Sequence, residues 1–183
     1  MLASSSPRRR ELLSILGVPF TVQSADIDES PQPAETPLVY AARVAQEKAR
    51  VIAAGRPADR VLAADTIVIL GNEVLGKPQN AVDARRMLGT LSGKVHQVST
   101  AVCLIANGSS SAHVETTNVF MGEISAAEID AYVASGEPMD KAGAYAIQGG
   151  AAKWVYRIEG DYFNVVGLPL AAVWQLLQMK TQR

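Results

Sequence analysis

The stretch Val61-Leu62-Ala63-Ala64-Asp65-Thr66-Ile67-Val68-Ile69-Leu70 decides the fold class of this chain. A near-continuous apolar run of this length, broken only by Asp65-Thr66, predicts a buried β-strand. Gly71-Asn72 follows it as a turn signal, so the segment from Thr66 to Leu75 is predicted to form a hairpin. A hairpin on a buried strand argues against an all-parallel sheet.

Helices are predicted before and after this strand in the sequence, from capping residues and from apolar residues at helical spacing. They are a helix capped by Ser6 and stopped by Gly17, a helix from Pro37 to Ala54, a helix from Asn80 to about Leu91, a helix opened by the Ser125–Glu128 capping box, and a last helix from Pro169 to about Met179. Further strands are predicted at Val18–Gln23, at Val95–Ala106, at His113–Ile124, and in a third hairpin of Trp154–Ile158 with Tyr162–Val166. The pattern predicts an α/β fold with a mixed central sheet flanked by helices.

Composition limits the function further. The 183 residues fit a single domain or one compact body with two lobes, and the net charge of −1 argues against nucleic-acid binding through bulk charge. The sequence lacks the roughly 18 consecutive apolar residues of a membrane span, so a cytoplasmic protein is expected. The single cysteine, Cys103, excludes an intramolecular disulfide and is interpreted as a buried small hydrophobe. His96 and His113 are interpreted as structural or surface residues.

The segment Ser4-Ser5-Ser6-Pro7-Arg8-Arg9-Arg10 places three arginines in the first turn of a helix. Cations are unfavourable at this end of the helix dipole unless an anion lies nearby. Helix N–H groups, serine hydroxyls and forked guanidinium groups together form a phosphate site, which is the preferred interpretation. The alternative is a solvated arginine run without a ligand.

Acidic side chains in two places suggest metal or base chemistry. Asp65 lies in so apolar a run that its burial is costly without a partner, such as a divalent cation or a water that it deprotonates. The alternative is an aspartate that caps backbone at a bulge or strand end. Glu29, in Asp26-Ile27-Asp28-Glu29, belongs to three carboxylates that either hold a metal or face solvent. Lys48, taken alone, is expected on the surface of its helix.

Two further segments remain. Gly71 to Lys77 imitates a P-loop, but Pro78 provides neither a hydroxyl for magnesium nor an N–H for phosphate, so this interpretation is rejected. Lys77 still suits phosphate as a point charge. The small-residue segment from Met139 to Gly150 allows backbone to approach a ligand closely, and Gln148 offers a donor and an acceptor to a base edge. The alternative is a plain connecting loop.

These motifs occur in an order that resembles the Maf family. The resemblance runs from Leu2 to about Leu170, and five motifs carry it. They are Ser-x-Ser-Pro-Arg-Arg at Ser4–Arg9, Ala-Asp-Thr at Ala64–Thr66, Gly-Lys-Pro at Gly76–Pro78, Leu-Ser-Gly-x-x-His at Leu91–His96, and Asp-Lys-Ala-Gly-Ala-Tyr at Asp140–Tyr145.

The resemblance implies an α/β fold related to the inosine triphosphate pyrophosphatases, with one cleft between two lobes. It implies metal-dependent hydrolysis of nucleoside triphosphates at the α–β phosphoanhydride, with Asp65 as general base. It associates Arg8, Thr66 and Gln148 with substrate choice, and it matches other polar cleft positions to Ser4, Arg9, Glu29, Lys48 and Lys77. The segment Tyr145-Ala146-Ile147-Gln148-Gly149 resembles the branch that acts on dTTP and UTP.

The resulting hypothesis is a house-cleaning pyrophosphatase that releases a monophosphate and pyrophosphate. Mg²⁺ or Mn²⁺ is expected on Glu29 and Asp65 with triphosphate oxygens, and Ser6 is added to the phosphate contacts. The alternative is a nucleotide-binding regulator of septum formation without turnover. A homodimer fits the resemblance, whereas nucleic-acid and membrane partners are not expected.

Overall fold

The computed structural model describes residues 1–179, and within them the strands form one mixed sheet. Its seven strands are β1 (Leu2–Ala3), β2 (Val22–Gln23), β3 (Val61–Leu70), β4 (Glu73–Leu75), β5 (Val95–Ala106), β6 (Ser109–Met121) and β7 (Val155–Glu159). The strand order is β2-β1-β3-β5-β6-β7, and β4 pairs with β3 outside this path. β1 runs parallel to β2 and β3, whereas the β3–β4 and β6–β7 pairs are antiparallel. The predicted α/β class with a mixed sheet is confirmed.

Five of the six α-helices within residues 1–179 begin where the sequence predicted, and α5 is the exception. The helices are α1 (Pro7–Ile15), α2 (Pro37–Ala54), α3 (Ala81–Leu91), α4 (Ala126–Ala134), α5 (Tyr162–Val166) and α6 (Leu170–Gln178), with short 3₁₀ turns at Glu137–Asp140, Ala142–Ala144 and Gly150–Trp154. The Ser6 side chain accepts a hydrogen bond from the Arg9 N–H, and Ser125 and Glu128 form a reciprocal capping box. None of the helices within residues 1–179 combines the length and the hydropathy that crossing a membrane requires.

The chain divides into two compact units. The first unit comprises residues 1–66, 100–115 and the segment from Gly167 onward, and the second comprises residues 67–99 and 116–166. The prediction that the whole chain is one domain with a cleft between two lobes stays a prediction.

In the first unit, α2 buries a stripe of small side chains. Ala41, Ala45 and Ala49 repeat every fourth residue and are at most 1% exposed. Val44 and Lys48 are also buried on this helix, one turn apart. One buried position of α2 is therefore occupied by a charged side chain among hydrophobic ones.

In the second unit, α3 and α4 cover one hydrophobic core. Leu88 and Leu91 of α3, together with Ile129 and Val133 of α4, belong to a single cluster of buried side chains. Their i, i+3 and i, i+4 spacing places them on one face of each helix. Residues of the two 3₁₀ turns on either side of Gln148, Ala142–Ala144 and Gly150–Trp154, also belong to this core.

The predicted third hairpin is wrong, because Tyr162–Val166 is helix α5 and β7 pairs with β6. The Asp161 carboxylate accepts the N–H groups of Phe163 and Asn164 at 2.6 and 3.2 Å, which caps the first helical turn. The Asn164 side chain then donates to the Val98 carbonyl and to the Thr117 hydroxyl, both at 2.9 Å. A cap and a buried polar anchor therefore overcome the β-propensity of this aromatic and β-branched segment.

The starts of β2 and β6 also differ from the prediction, and β6 ends at Met121 instead of Ile124. Only Val22–Gln23 of the predicted Val18–Gln23 strand pairs with β1. β6 begins at Ser109 instead of His113, because Asn107 and Gly108, with φ of 50° and 75°, complete the turn in two residues. Positive φ at both central residues is the geometry of a tight hairpin turn.

Candidate active site

The candidate site lies in the first unit, where β1 ends beside the N-terminus of α1 and the parallel strand β3 continues past it. Ala3 pairs with Ala63, and the chain then leaves β1 through Ser4 into α1. Asp65 follows Ala63 by two residues on β3, beyond the last pair of this ladder. Ligands of open α/β sheets bind at such carboxyl ends of strands, and helix N-termini attract anions.

Three charged side chains form the centre of the site, and we refer to Glu29, Lys48 and Asp65 as the carboxylate–lysine triad. The Lys48 Nζ lies 2.9 Å from the Asp65 Oδ1 and 2.9 Å from the Glu29 Oε1. Asp65 and Lys48 are only 7% and 9% exposed, so the predicted burial of Asp65 is confirmed and the stand-alone surface interpretation of Lys48 is wrong. α2 buries the lysine stem and directs its ammonium group to the two carboxylates.

Burial raises the pKa of Asp65 above its ordinary value. The positive charges of Lys48 and Arg9 oppose this shift, and the negative charge of Glu29 adds to it. A carboxylate with a raised pKa holds a proton more strongly once it has accepted one, which suits a general base near neutral pH. The role of general base, which the family resemblance implies for Asp65, stays a prediction.

Arg9 connects three segments of the first unit through its guanidinium group. Its Nε donates to the Gly167 carbonyl at 3.0 Å, its Nη1 to the Ala64 carbonyl at 2.8 Å, and its Nη2 to the Thr66 hydroxyl at 2.9 Å. The Thr66 hydroxyl also shares a hydrogen bond of 3.0 Å with Thr100. Three of the five N–H donors of an arginine are thus engaged with the protein, so Arg9 fixes the residues on both sides of Asp65.

The serines of the predicted phosphate segment order the first turn of α1. The Ser6 Oγ accepts the Arg9 N–H at 3.4 Å, and the Ser4 Oγ accepts the Ser6 N–H at 3.1 Å. Ser4 is 7% exposed, whereas Arg8 is half-buried on the first turn. The structure therefore places this segment at the end of β1, from which Arg9 reaches the residues on both sides of Asp65.

Lys77 and Gln148 belong to the second unit. Lys77 is exposed and follows the β3–β4 hairpin, in which Gly71 has a φ of 60°, as expected for a turn rather than a phosphate-binding loop. Gln148 is exposed between two 3₁₀ turns. Their predicted contacts with substrate stay predictions.

The two carboxylates of the triad are the candidate ligands for the divalent ion that the resemblance implies. Glu29 and Asp65 are both held to one ammonium atom, so their oxygens lie within twice the 2.9 Å ion-pair distance of each other. Within residues 1–179, no cluster of three or more His, Cys, Asp or Glu side chains is suited to hold a metal. Magnesium characteristically binds one or two carboxylates and takes its other ligands from water and substrate phosphates.

Sequence reasoning missed the residues that hold the loop bearing Glu29. The Arg43 Nε donates to the Glu35 Oε1 at 2.7 Å, and its Nη2 donates to the Ser30 carbonyl at 3.0 Å. Glu47 accepts from the same guanidinium group at 3.1 Å. The i, i+4 spacing of Arg43 and Glu47 was visible in the sequence, but the contact with Ser30 was not, because it requires the loop to fold back over α2.

Comparison with known proteins gives two findings. The model of a family described as Maf-like protein matches residues 1–180. A dTTP/UTP pyrophosphatase of Anaeromyxobacter dehalogenans is 53% identical over 182 residues, which cover 97% of this chain and 92% of that protein. Proteins of the same name from Koribacter versatilis and Myxococcus xanthus are each 50% identical over 178 residues, covering 97% of this chain and 92% and 90% of theirs.

Proposed function

Because this chain belongs to the Maf family, we propose that it hydrolyses dTTP and UTP to the monophosphate and pyrophosphate. The name shared by relatives about half identical to it supports this substrate choice. The observation that carries the reaction type is the carboxylate–lysine triad, in which a buried Asp65 lies 2.9 Å from Lys48. A binding protein needs no buried carboxylate with a raised pKa, whereas hydrolysis needs a base.

In the proposed mechanism, Asp65 removes a proton from the attacking water. The water oxygen attacks the α-phosphorus, and pyrophosphate leaves from the opposite side as its bond to the α-phosphorus breaks. Lys48 stabilises the charge that develops on the triphosphate and keeps Asp65 oriented. Arg8 and Lys77 are proposed to neutralise the remaining phosphate charge.

Arg9 has a double role in this proposal. Its contacts with the Ala64 carbonyl and the Thr66 hydroxyl hold the β3 backbone around Asp65. Its remaining N–H groups are proposed to face phosphate, together with Ser4 and Ser6. Thr66 and Gln148 are proposed to recognise the base or its sugar, since both carry donors and acceptors.

A divalent cation, Mg²⁺ or Mn²⁺, would be held by Glu29 and Asp65 and would neutralise charge on the triphosphate oxygens. Lys48 lies between these two carboxylates, so it competes with the ion for their negative charge. Removal of nucleotides from the cytoplasmic pool is the proposed purpose. The homodimer stays a prediction from the sequence.

The test is to incubate the purified protein with a panel of nucleoside triphosphates and Mg²⁺ or Mn²⁺, and to separate the products by chromatography. We expect monophosphate and pyrophosphate from dTTP and UTP, with turnover lowered by ~10² or more in Asp65→Asn. Asp59→Asn is the matched control, because the Asp59 side chain is 44% exposed and pairs with Arg56 on the surface of the same unit.

Each other outcome has a distinct meaning. Diphosphate and phosphate as products would show that a different bond is cut. Nucleotide binding without turnover would favour the regulator of septum formation. Full activity of Asp65→Asn would remove Asp65 from the role of base.

A further inference from the structure

Two side chains of the second unit contact both ends of the segment 146–150, which has Gln148 at its centre. At one end, the Ala146 N–H donates to the Tyr132 hydroxyl at 3.1 Å. At the other end, the Gly150 N–H donates to both Glu137 carboxylate oxygens, at 3.1 and 3.2 Å. The Tyr132 hydroxyl in turn donates to the Glu137 Oε1 at 2.7 Å, so the two contacts form one connected network.

We refer to Tyr132 and Glu137 as the backbone clamp. Tyr132 is 7% exposed, and its ring packs edge-on against Trp154 with ring centres 5.1 Å apart. The Lys141 ammonium donates to the Glu137 carbonyl at 2.6 Å, which fixes the turn that carries the carboxylate. The clamp is therefore itself held by core packing and by a charged hydrogen bond.

Gly149 shows how closely the segment approaches the clamp. A Cβ atom at this position would lie 2.0 Å from the Glu137 Oε1. The φ of Gly149 is −113°, so the left-handed region does not explain the glycine. A side chain at this position would therefore have to displace the Glu137 carboxylate, which accepts the Gly150 N–H.

We propose that Tyr132 and Glu137 are positioning residues that set substrate selectivity by holding Gln148 in place. This inference rests on the proposed function, in which Gln148 recognises the base. The clamp accepts hydrogen bonds from backbone N–H groups, so it holds the backbone of residues 146–150 and acts on the substrate only through that segment. A polar contact with a base discriminates strongly only when its donor and acceptor are held in place.

The test compares Tyr132→Phe, Glu137→Ala, Glu137→Gln and Gln148→Ala, with Tyr156→Phe as the matched control. Tyr156 is 70% exposed and loses the same hydroxyl without affecting the clamp. The first readout is amide hydrogen exchange at Ala146 and Gly150, followed by NMR. We expect exchange at Ala146 to rise about tenfold or more in Tyr132→Phe, and exchange at Gly150 to rise likewise in Glu137→Ala.

The second readout is the ratio of kcat/KM for dTTP over CTP. We expect Tyr132→Phe and Glu137→Ala to lower this ratio by about tenfold through KM, with kcat for dTTP kept within about twofold. Glu137→Gln retains an acceptor oxygen for the Gly150 N–H, so its ratio should be closer to that of the wild type than to that of Glu137→Ala. Tyr156→Phe should behave as the wild type in both readouts.

Unchanged exchange in both clamp variants would overturn the inference. The inference would also be overturned if the clamp variants raise amide exchange but leave the dTTP over CTP ratio unchanged, while Gln148→Ala lowers that ratio. If Gln148→Ala itself leaves the ratio unchanged, the proposed role of Gln148 is wrong and the selectivity role of the clamp is wrong with it. If the wild-type protein does not hydrolyse dTTP, the proposed function is contradicted, whatever the exchange data show.

Discussion

Replacing Lys48 by methionine tests the electrostatic basis of the candidate site. Lys48→Met preserves most of the apolar stem that α2 buries, but it removes the ammonium group 2.9 Å from both Asp65 and Glu29. Asp65 is 7% exposed, so its carboxylate would then be buried without its nearest cation. The variant should therefore unfold more readily than the wild type.

The magnitude follows from the burial of each partner. Removing one member of a buried ion pair costs about 3–5 kcal/mol in free energy of unfolding. We expect about 3 kcal/mol, at the low end of that range, because the Glu29 side chain is 49% exposed. The charge of Arg9 also stays beside Asp65. At about 2–4 °C per kcal/mol for a chain of this size, the melting temperature should fall by about 6–12 °C.

The cost should depend on pH in a defined direction. Burial already raises the pKa of Asp65, and loss of Lys48 raises it further. Above that pKa the folded variant contains an uncompensated charge, whereas below it Asp65 is protonated and the cost disappears. The destabilisation of Lys48→Met relative to the wild type should therefore shrink as the pH falls from about 7.5 towards about 5.

Urea unfolding followed by circular dichroism measures both effects. The double variant Lys48→Met with Asp65→Asn should be more stable than Lys48→Met alone at neutral pH, because the buried carboxylate charge is no longer present. A cost below about 1 kcal/mol would show that the pair behaves like an exposed one. A cost that does not vary with pH would refute the assignment of the effect to Asp65.

Two further predictions concern the second unit. The buried His96 contacts the Tyr145 hydroxyl at 2.7 Å, and burial lowers the pKa of His96 from 6.5 to about 4. As the pH falls from 6.5 towards 4, the His96 side chain binds a proton in the unfolded chain but not in the folded one. The free energy of unfolding, measured with urea, should therefore fall by roughly 3 kcal/mol over that pH range. This pH dependence should be absent in His96→Gln. Gly143 has a φ of 68°, and a Cβ there would lie 2.9 Å from Val68. Gly143→Ala should cost about 1–3 kcal/mol in thermal unfolding, whereas Gly89→Ala, in open space on α3, should not destabilise the protein.

Local signals in the sequence predicted most of the secondary structure. Ser6, Asn80 and Ser125 each accept the hydrogen bond that caps their helix, because an N-cap needs only residues within one turn. The β3–β4 hairpin was predictable for the same reason, since Gly71 supplies the positive φ of its turn. Tyr162–Val166 was mispredicted, because Asn164 anchors it to residues far away in sequence.

The sequence predicted which residues belong to the candidate site, but not the contacts between them. The apolar run around Asp65 indicated a buried carboxylate, and Lys48 became a candidate only through the family resemblance. The helical pattern could not show that the Lys48 ammonium reaches β3, because this contact joins residues 17 positions apart on different elements. The engagement of Arg9 with Gly167 was equally hidden, since nothing near Gly167 indicates an acceptor for an arginine.

The hydrogen bond between Arg9 and Gly167 has a consequence for the order of folding during synthesis. It joins residues 158 positions apart, within a unit whose segments are separated by two insertions. A ribosome therefore completes every segment of the second unit before it adds Gly167. Contacts over such separations carry a high loop-closure entropy and form slowly. The bond between Arg9 and Gly167 is thus expected to form late, so a nascent chain that stops before Gly167 would contain Asp65 without one of the three hydrogen bonds that hold the Arg9 guanidinium group beside it.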